Sequence, residues 1–196
     1  MKATEILRTE HHVILQVLDC LAATVKEAER TKKLDVESIR KSIEFFRGFA
    51  DGCHHGKEEA QLFPILSARN VSCPSGTQPI LLAEHEEGRG YVRAMAEDLE
   101  KYEKGEAAAL QRIATLANRY IELMTNHIHK EDDCLFPIAD DTLSDKEQDD
   151  LLKAFENVEH EGMGAGTHEE YVAIADELCK KWQRKPATSA HSLLGH

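Results

Sequence analysis

The chain of 196 residues contains an internal repeat that restricts how it can fold. Residues 53–65 read CHHGKEEAQLFPI, and residues 126–138, which begin 73 positions later, read NHIHKEDDCLFPI. The overlaid positions are His54 with His127, Glu58 with Glu131, and Leu62-Phe63-Pro64 with Leu135-Phe136-Pro137. The same residue types at the same spacing indicate two copies of one structural unit.

A second repeated element precedes each of these segments. Glu10-His11 and Glu84-His85 lie 74 residues apart, which is almost the period of the first repeat. Each unit therefore pairs a helix that carries one histidine with a helix that carries His-x-x-x-Glu.

Apolar residues recur at helical spacing along most of the chain, and strand-like alternation is nearly absent. The predicted helices span about residues 4–30, 35–70, 79–103, 106–139 and 144–182. Pro64 and Pro137 predict bends in the second and fourth helices, because proline lacks an N–H and its ring clashes with the preceding turn. Ser144-x-x-Glu147 predicts a capping box at the start of the fifth helix, which the Gly-rich stretch 162–166 interrupts or bends.

Four long helices with short connections predict an all-α fold, an up-down-up-down four-helix bundle. We expect this bundle to occupy residues 1–140, with an additional C-terminal helix packed on it over 141–183. The remaining residues, 184–196, are rich in small side chains and are expected to form a flexible tail.

Charge and composition narrow the range of partners and compartments. The formal net charge of −12 argues against nucleic acid, whose phosphates would repel the chain. No apolar stretch is long enough to span a membrane, and the first residues lack the apolar core of a signal peptide. An odd number of cysteines without paired spacing favours free thiols in a reducing cytoplasm. These five are Cys20, Cys53, Cys73, Cys134 and Cys179.

Helical periodicity separates the histidines that point inward from those on the surface. His11, His85 and His127 each share a face with apolar residues, whereas His12 and His129 share theirs with polar ones. In the first repeat, periodicity allows either His54 or His55 to point inward and favours His54 only weakly. The match of His54 to His127 decides for His54.

The spacing His-x-x-x-Glu has a direct chemical reading. Positions i and i+4 of a helix project from one face, so an imidazole can bind one metal ion while the carboxylate reaches a second. Imidazole and carboxylate ligands suit iron, with manganese or zinc possible. The predicted ligands of a two-metal site are His11, His54, Glu58, His85, His127 and Glu131.

Over about residues 1–140 this pattern resembles the hemerythrin family, specifically its bacterial members with an HHE cation-binding domain. The resemblance implies a pair of non-haem iron ions inside a four-helix bundle, bridged by an oxo or hydroxo group and by two carboxylates. Carried over by position, it implies the same six ligands.

The chain departs from the oxygen-carrying members on the third helix. Those have His-x-x-x-His, whereas this chain has His85-x-x-x-Arg89, and a guanidinium cannot replace imidazole because it stays protonated. A fifth histidine is therefore expected to be absent, which disfavours simple reversible oxygen carriage. Residues that could fill the vacancy are Glu159, His160, Glu86 and Tyr120. Most charges in the stretch 84–89 are expected to face solvent; Arg89 is the exception.

The expected function is binding or turnover of oxygen, peroxide or nitric oxide at the iron pair, with Arg89 or Tyr120 assisting from outside the ligand set. Enzyme activity would then be peroxidase-like, oxidase-like or nitric-oxide-reducing. The alternatives are a sensor of iron or of these ligands, and a protein that delivers iron for iron–sulfur repair. A sensor would need a partner that reads its conformational change, and the wider set of partners includes a redox or iron-accepting protein.

Overall fold

The fold is seen in a computed structural model that describes residues 2–71, 73–74, 77–162 and 167–183, without the side chains of residues 160–162 and 167. Within these ranges the regular structure is helical and contains no strand, so the predicted all-α class is confirmed. No helix in the described part of the chain is long and apolar enough to cross a membrane. The predicted tail and most of the Gly-rich stretch, residues 163–166, lie outside the described residues.

Eight α-helices and three π-helical segments follow one another in the described part of the chain. The α-helices are α1 (Ala3–Thr31), α2 (Val36–Phe45), α3 (Phe63–Ala68), α4 (Gln78–Glu103), α5 (Ala109–Lys130), α6 (Phe136–Thr142), α7 (Asp145–Gly162) and α8 (Thr167–Lys181). The π-helical segments are π1 (Phe46–His55), π2 (Glu58–Leu62) and π3 (Glu131–Leu135).

The elements from α1 to α6 form four rods. Rod A is α1, rod B runs from α2 through π1 and π2 to α3, rod C is α4, and rod D runs from α5 through π3 to α6. Rods A and C each pack against both B and D, so consecutive rods are neighbours around a four-helix bundle.

The bends expected at the two prolines are wide π turns that end just before them. The N–H of Phe63 donates to the carbonyl of Glu58, five residues back, and Phe136 repeats this bond with Glu131. A proline opens the α-helix after each turn, where its missing N–H is tolerated. Glu58 and Glu131 therefore begin equivalent turns in the two repeats, and π turns of this kind are frequent at functional sites.

The bundle interior consists of two apolar clusters separated by a polar layer. One cluster includes Phe46 and Val92, and the other includes Leu62 and Phe136. Along rod A, His11 lies between Leu7 of the second cluster and apolar residues of the first, and the other inward histidines occupy the same level. Apolar packing on both sides thus holds the polar layer inside the bundle.

The C-terminal segment packs on the outside of rods A and B as two helices. Helix α7 contacts rod A and the π-helical part of rod B, and α8 contacts α1 and α2. The capping box opens α7 as predicted, because Glu147 accepts hydrogen bonds from the backbone N–H and the hydroxyl of Ser144. The predicted fifth helix is described as α7 and α8, on either side of residues 163–166, in the stretch that was expected to interrupt or bend it.

The expectation that all five cysteines are free thiols is wrong. Cys73, in the connection between α3 and α4, forms a disulfide with Cys134 of π3, 61 residues away. No local spacing predicts this pairing, because the fold alone brings the two residues together. The cysteine count therefore no longer supports a reducing compartment. Cys20, Cys53 and Cys179 are buried.

Gly48 of π1 allows Tyr171 of α8 to pack against rod B. A Cβ atom at Gly48 would lie 1.9–2.5 Å from atoms of the Tyr171 ring. We expect Gly48→Ala to lower the free energy of unfolding by about 1–3 kcal/mol, the range for overpacked sites. Urea denaturation measures this loss.

The double variant Gly48→Ala/Tyr171→Ala provides the control for this steric cause. It should be at least as stable as Tyr171→Ala alone, because alanine is the better helix former once the ring is gone. Equal stability of Gly48→Ala and the parent chain would show that the Tyr171 ring moves aside freely.

Candidate metal centre

The six predicted ligands lie together in the polar layer of the bundle. Each side chain is exposed by 1% or less, although imidazoles and carboxylates are seldom buried so completely. Rod A contributes His11, rod B contributes His54 and Glu58, rod C contributes His85, and rod D contributes His127 and Glu131.

Among the residues that the structure describes, two sets of four could each hold a metal ion, with donor atoms within 4.8 Å of one another. The first donor set is His11, His54, Glu58 and Glu131. The second donor set is His55, Glu58, His85 and His127. Glu58 belongs to both.

The two glutamates lie between the sets in the manner of bridging ligands. Glu58 directs one carboxylate oxygen to His54 Nε2 and the other to His85 Nε2, each at 3.6 Å. One oxygen of Glu131 is 3.3 Å from His11 Nε2 and also 3.3 Å from His127 Nε2. Each carboxylate therefore faces an imidazole of both sets.

His55 is the residue that the sequence reasoning missed. Its side chain is only 3% exposed, and its ring stacks on that of His85 with 3.8 Å between centroids. In an α-helix adjacent residues diverge strongly, but the wider turn of π1 lets His54 and His55 both face inward. The adjacent Phe45 and Phe46, both fully buried at the start of the same segment, are a signal that could have revealed this.

The vacancy that Arg89 leaves on rod C therefore has an imidazole beside it, since rod B supplies His55 to the second donor set. Of the residues considered for the vacancy, Glu86 is 70% exposed, and Glu159 binds Lys57 away from both donor sets. Tyr120 is buried in the wall of a neighbouring cavity. The side chain of His160 lies outside the described residues.

Four carboxylates fix the orientation of four of the imidazoles. Each accepts a hydrogen bond from an Nδ1 atom of a histidine on the next rod. The pairs are Glu10 with His54 (2.9 Å), Glu59 with His85 (2.7 Å), Glu84 with His127 (2.9 Å) and Asp132 with His11 (3.0 Å). The bonds run from rod A to B, B to C, C to D and D back to A, and we call this arrangement the carboxylate ring.

Because these carboxylates accept the Nδ1 protons, the Nε2 atom of each of these imidazoles presents a lone pair to the interior whenever the ring is neutral. Histidine that binds a metal through Nε2 is commonly oriented in this way by a carboxylate. Glu10 and Glu84 directly precede His11 and His85, and Glu59 and Asp132 directly follow Glu58 and Glu131. The two glutamates of the second repeated element, Glu10 and Glu84, are thus half of the carboxylate ring.

A cation contacts each carboxylate of the ring. Two of these contacts repeat between the halves of the chain, and two do not. The pairs are Lys57 with Glu10, Lys130 with Glu84, Arg89 with Glu59 (2.6 Å) and Arg8 with Asp132 (3.3 Å). Burial opposes ionisation of Glu10, yet Lys57 and His54 lower its pKa to about 2. Arg89 thus acts on the centre through Glu59 and His85.

Without a metal the buried groups would divide a few protons among themselves. Burial and the nearby His11 lower the pKa of His54 to about 4. Burial also acts to lower the pKa of His127, but Glu131 and Glu84 raise it to about 9. Burial and the facing Glu131 raise the pKa of Glu58 well above its ordinary value. A cation bound here would replace these protons.

The repeated phenylalanines cover the centre on one side. Phe63 stacks on His85 with centroids 5.9 Å apart, and Phe136 stacks on His11 at 5.4 Å. Each ring comes from one repeat and covers a histidine of the other. This contact explains why both copies of Leu-Phe-Pro contain the phenylalanine.

The donor atoms fit a metal because most have no other partner. Eight buried atoms of the two donor sets have no hydrogen-bond partner among the described residues. They are Nε2 of His11 and His54, both ring nitrogens of His55, and both carboxylate oxygens of Glu58 and Glu131. Leaving a buried polar atom unsatisfied costs about 1–3 kcal/mol, so a cluster of eight calls for a bound cation.

Comparison with known proteins agrees with this arrangement. The model of the hemerythrin HHE cation binding domain matches residues 2–139, which include every residue of both donor sets. Similar curated proteins are the uncharacterized protein Rv1995 of Mycobacterium tuberculosis (strain H37Rv) and the uncharacterized protein Mb2018 of Mycobacterium bovis. Each is 24% identical over 175 residues, which cover 89% of this chain and 68% of the relative. No solved structure gave a significant match.

The family match covers well over half of the chain, and the buried histidines and glutamates supply donors for a cation. The chain belongs to the hemerythrin HHE cation-binding domain family.

Proposed function

We propose that this protein holds two non-haem iron ions, one in each donor set, and uses them to bind or turn over oxygen, peroxide or nitric oxide. The observation that carries the proposal is the contact between His85 and His127, whose Nε2 atoms lie 3.0 Å apart. Both rings donate Nδ1–H to carboxylates, so the two Nε2 atoms need either a proton on one of them or a cation close to both, and a metal ion would satisfy both.

The donor types favour iron over softer metals. Both donor sets combine imidazole with carboxylate and contain no thiolate, a combination that suits iron, with manganese or zinc as alternatives. If Glu131 bound both ions, as its equal distances to His11 and His127 favour, the first ion would have two imidazole ligands and the second three. The ion with fewer imidazoles would then be the one expected to accept a small ligand.

Bound in this site, an iron pair supplies two-electron redox chemistry toward a small oxidant. The protein contributes orientation and exclusion of water. The carboxylate ring holds the imidazoles, and Phe63 and Phe136 cover His85 and His11. Arg89 steadies Glu59 by a hydrogen bond of 2.6 Å, which is the assisting role proposed for it. Tyr120 is proposed to assist only by shaping the adjacent cavity.

Metal analysis and an optical spectrum of protein purified in air test this proposal. We expect two iron ions per chain and near-ultraviolet oxo-to-iron charge-transfer bands. Azide should perturb these bands if a coordination position is open. Protein that binds no iron when reconstituted, or only one ion, would contradict the two-iron centre.

Turnover is a separate question with its own measurement. Steady consumption of peroxide or nitric oxide in the presence of a reductant would establish an enzyme. Saturable binding without consumption would instead favour a sensor or an iron-delivery protein.

His55→Ala should lower the affinity of the second donor set for iron by at least about tenfold, because mutations around metal sites typically cost 10–100-fold even when the direct ligands remain. Titration of apoprotein with ferrous iron under anaerobic conditions measures the two binding events. The control is His129→Ala, which removes an exposed histidine from rod D. Unchanged affinities in His55→Ala would remove His55 from the ligand set.

A further inference from the structure

A cavity of about 310 Å³ opens beside the second donor set, between rods B, C and D. It extends from the exposed Arg47 and Arg93 to the buried His55. A water molecule occupies about 30 Å³ in the liquid, and small-molecule pockets begin at about 300 Å³. The cavity is therefore far larger than a diatomic ligand needs.

The internal repeat indicates that this cavity exists because residue types differ between the two halves of the bundle. By the spacings of 73 and 74 residues, His55 corresponds to Ile128, Asp51 to Met124, and Gly88 to Ile14. Those three counterparts are buried members of the apolar core. The same positions thus fill one half of the bundle with hydrocarbon and line a polar-ended cavity in the other.

The walls of the cavity are apolar and suit a flat ring. Phe46, Val92 and Tyr120 are each 4% exposed or less and belong to the apolar cluster of the bundle. Phe46 and Tyr120 meet edge to face with centroids 4.8 Å apart, and both line the cavity.

The inner end of the cavity offers hydrogen bonds but repels an anion. Neither ring nitrogen of His55 has a hydrogen-bond partner among the described residues, so one remains available when the other binds a metal. Asp51 adds a carboxylate 3.5 Å from His55 Nδ1. Arg89 does not offset this charge for a ligand, because its guanidinium already binds Asp51, Glu59 and Glu86. A neutral hydroxyl, which both donates and accepts, fits this end.

The outer end is cationic. Arg47 and Arg93 are exposed at the mouth, and no carboxylate of the described residues pairs with either in a salt bridge. Two guanidinium groups at the mouth favour a carboxylate on the ligand.

We propose that the cavity binds a small aromatic hydroxy acid. Its carboxylate lies between Arg47 and Arg93, its ring packs on the apolar walls, and its hydroxyl reaches His55. This site is additional to the metal-bound ligand of the proposed function, and it places an organic molecule directly against one imidazole of the second donor set.

Calorimetric titration with 4-hydroxyphenylacetate tests the proposal on the metal-loaded protein. Phenylacetate lacks the hydroxyl and 4-hydroxyphenethyl alcohol lacks the carboxylate, so each should bind at least about tenfold more weakly. Failure of 4-hydroxyphenylacetate to bind, or equal binding of all three compounds, would overturn the proposal.

Variants locate the bound molecule. Arg47→Ala/Arg93→Ala should weaken binding of 4-hydroxyphenylacetate by at least about tenfold, whereas Arg30→Ala, at the exposed end of α1, should not change it. Val92→Trp should block binding by filling the cavity. If circular dichroism shows that Val92→Trp misfolds, the arginine variants decide, and parent-like binding in them refutes the site. Metal content measured on the same samples separates this outcome from failure of the two-iron proposal.

Discussion

Glu58→Ala is expected to leave the protein with at most one tightly bound metal ion. Glu58 is the residue common to both donor sets, and each of its oxygens faces a different histidine at 3.6 Å. Removing it takes one ligand from each ion and one of the two carboxylates that offset their mutual repulsion. Iron analysis after gel filtration should give one ion per chain or fewer, and the near-ultraviolet bands of an oxo-bridged pair should vanish.

The fold should survive this substitution, which makes the loss of metal interpretable. Both Glu58 oxygens are buried without a hydrogen-bond partner among the described residues, and Glu131 raises the pKa of Glu58. Alanine removes that unfavourable burial, so the metal-free variant should unfold no earlier than the metal-free parent. Glu131→Ala should likewise lose at least one ion, and Glu122→Ala, exposed on α5, should retain both ions. Two irons retained in both bridging variants would refute the bridging role.

Removal of the metal should destabilise the parent protein strongly. A ligand at about a thousand times its dissociation constant stabilises the native state by about 4 kcal/mol, so two ions contribute about 8 kcal/mol. In a chain of this size 1 kcal/mol shifts the melting temperature by about 2–4 °C, so a fall on the order of 20 °C is expected. The physical cause is that eight buried donor atoms lose the metal ions that would satisfy them and stay buried without a hydrogen-bond partner among the described residues.

Calorimetric melts before and after treatment with a chelator measure this effect, and restored iron should reverse it. The double variant Glu58→Ala/Glu131→Ala, which has lost both bridging carboxylates, should show little response to the chelator. If the parent protein contains two ions yet melts at the same temperature after the chelator removes them, metal binding does not stabilise the fold.

The sequence predicts much of this centre because its donors obey two regular patterns. His11 and His127 lie on apolar faces of α-helices, and the repeat carries His54 and Glu58 onto His127 and Glu131. At these positions the helical periodicity of apolar residues and the match between the two repeats are enough to predict that a side chain points inward. The four-helix bundle follows from the same periodicity.

The parts that sequence analysis missed depend on geometry that no period expresses. His55 turns inward only because π1 is wound more widely than an α-helix. Glu84 and Glu86 both flank His85, yet Glu84 joins the carboxylate ring while Glu86 is 70% exposed. The Cys73–Cys134 disulfide depends on where the connection after α3 returns to the bundle. Each of these is decided by the neighbouring rods.

The carboxylate ring has a consequence for how the protein matures. Each rod aims the histidine of the next, and the last bond, from Asp132 to His11, joins the end of the bundle to its beginning. A growing chain on the ribosome that has not yet released residues 127–132 lacks members of both donor sets and leaves this circuit open. If the donor sets hold iron as proposed, the metal should be acquired only after synthesis of the whole bundle, and half-made chains should not trap it.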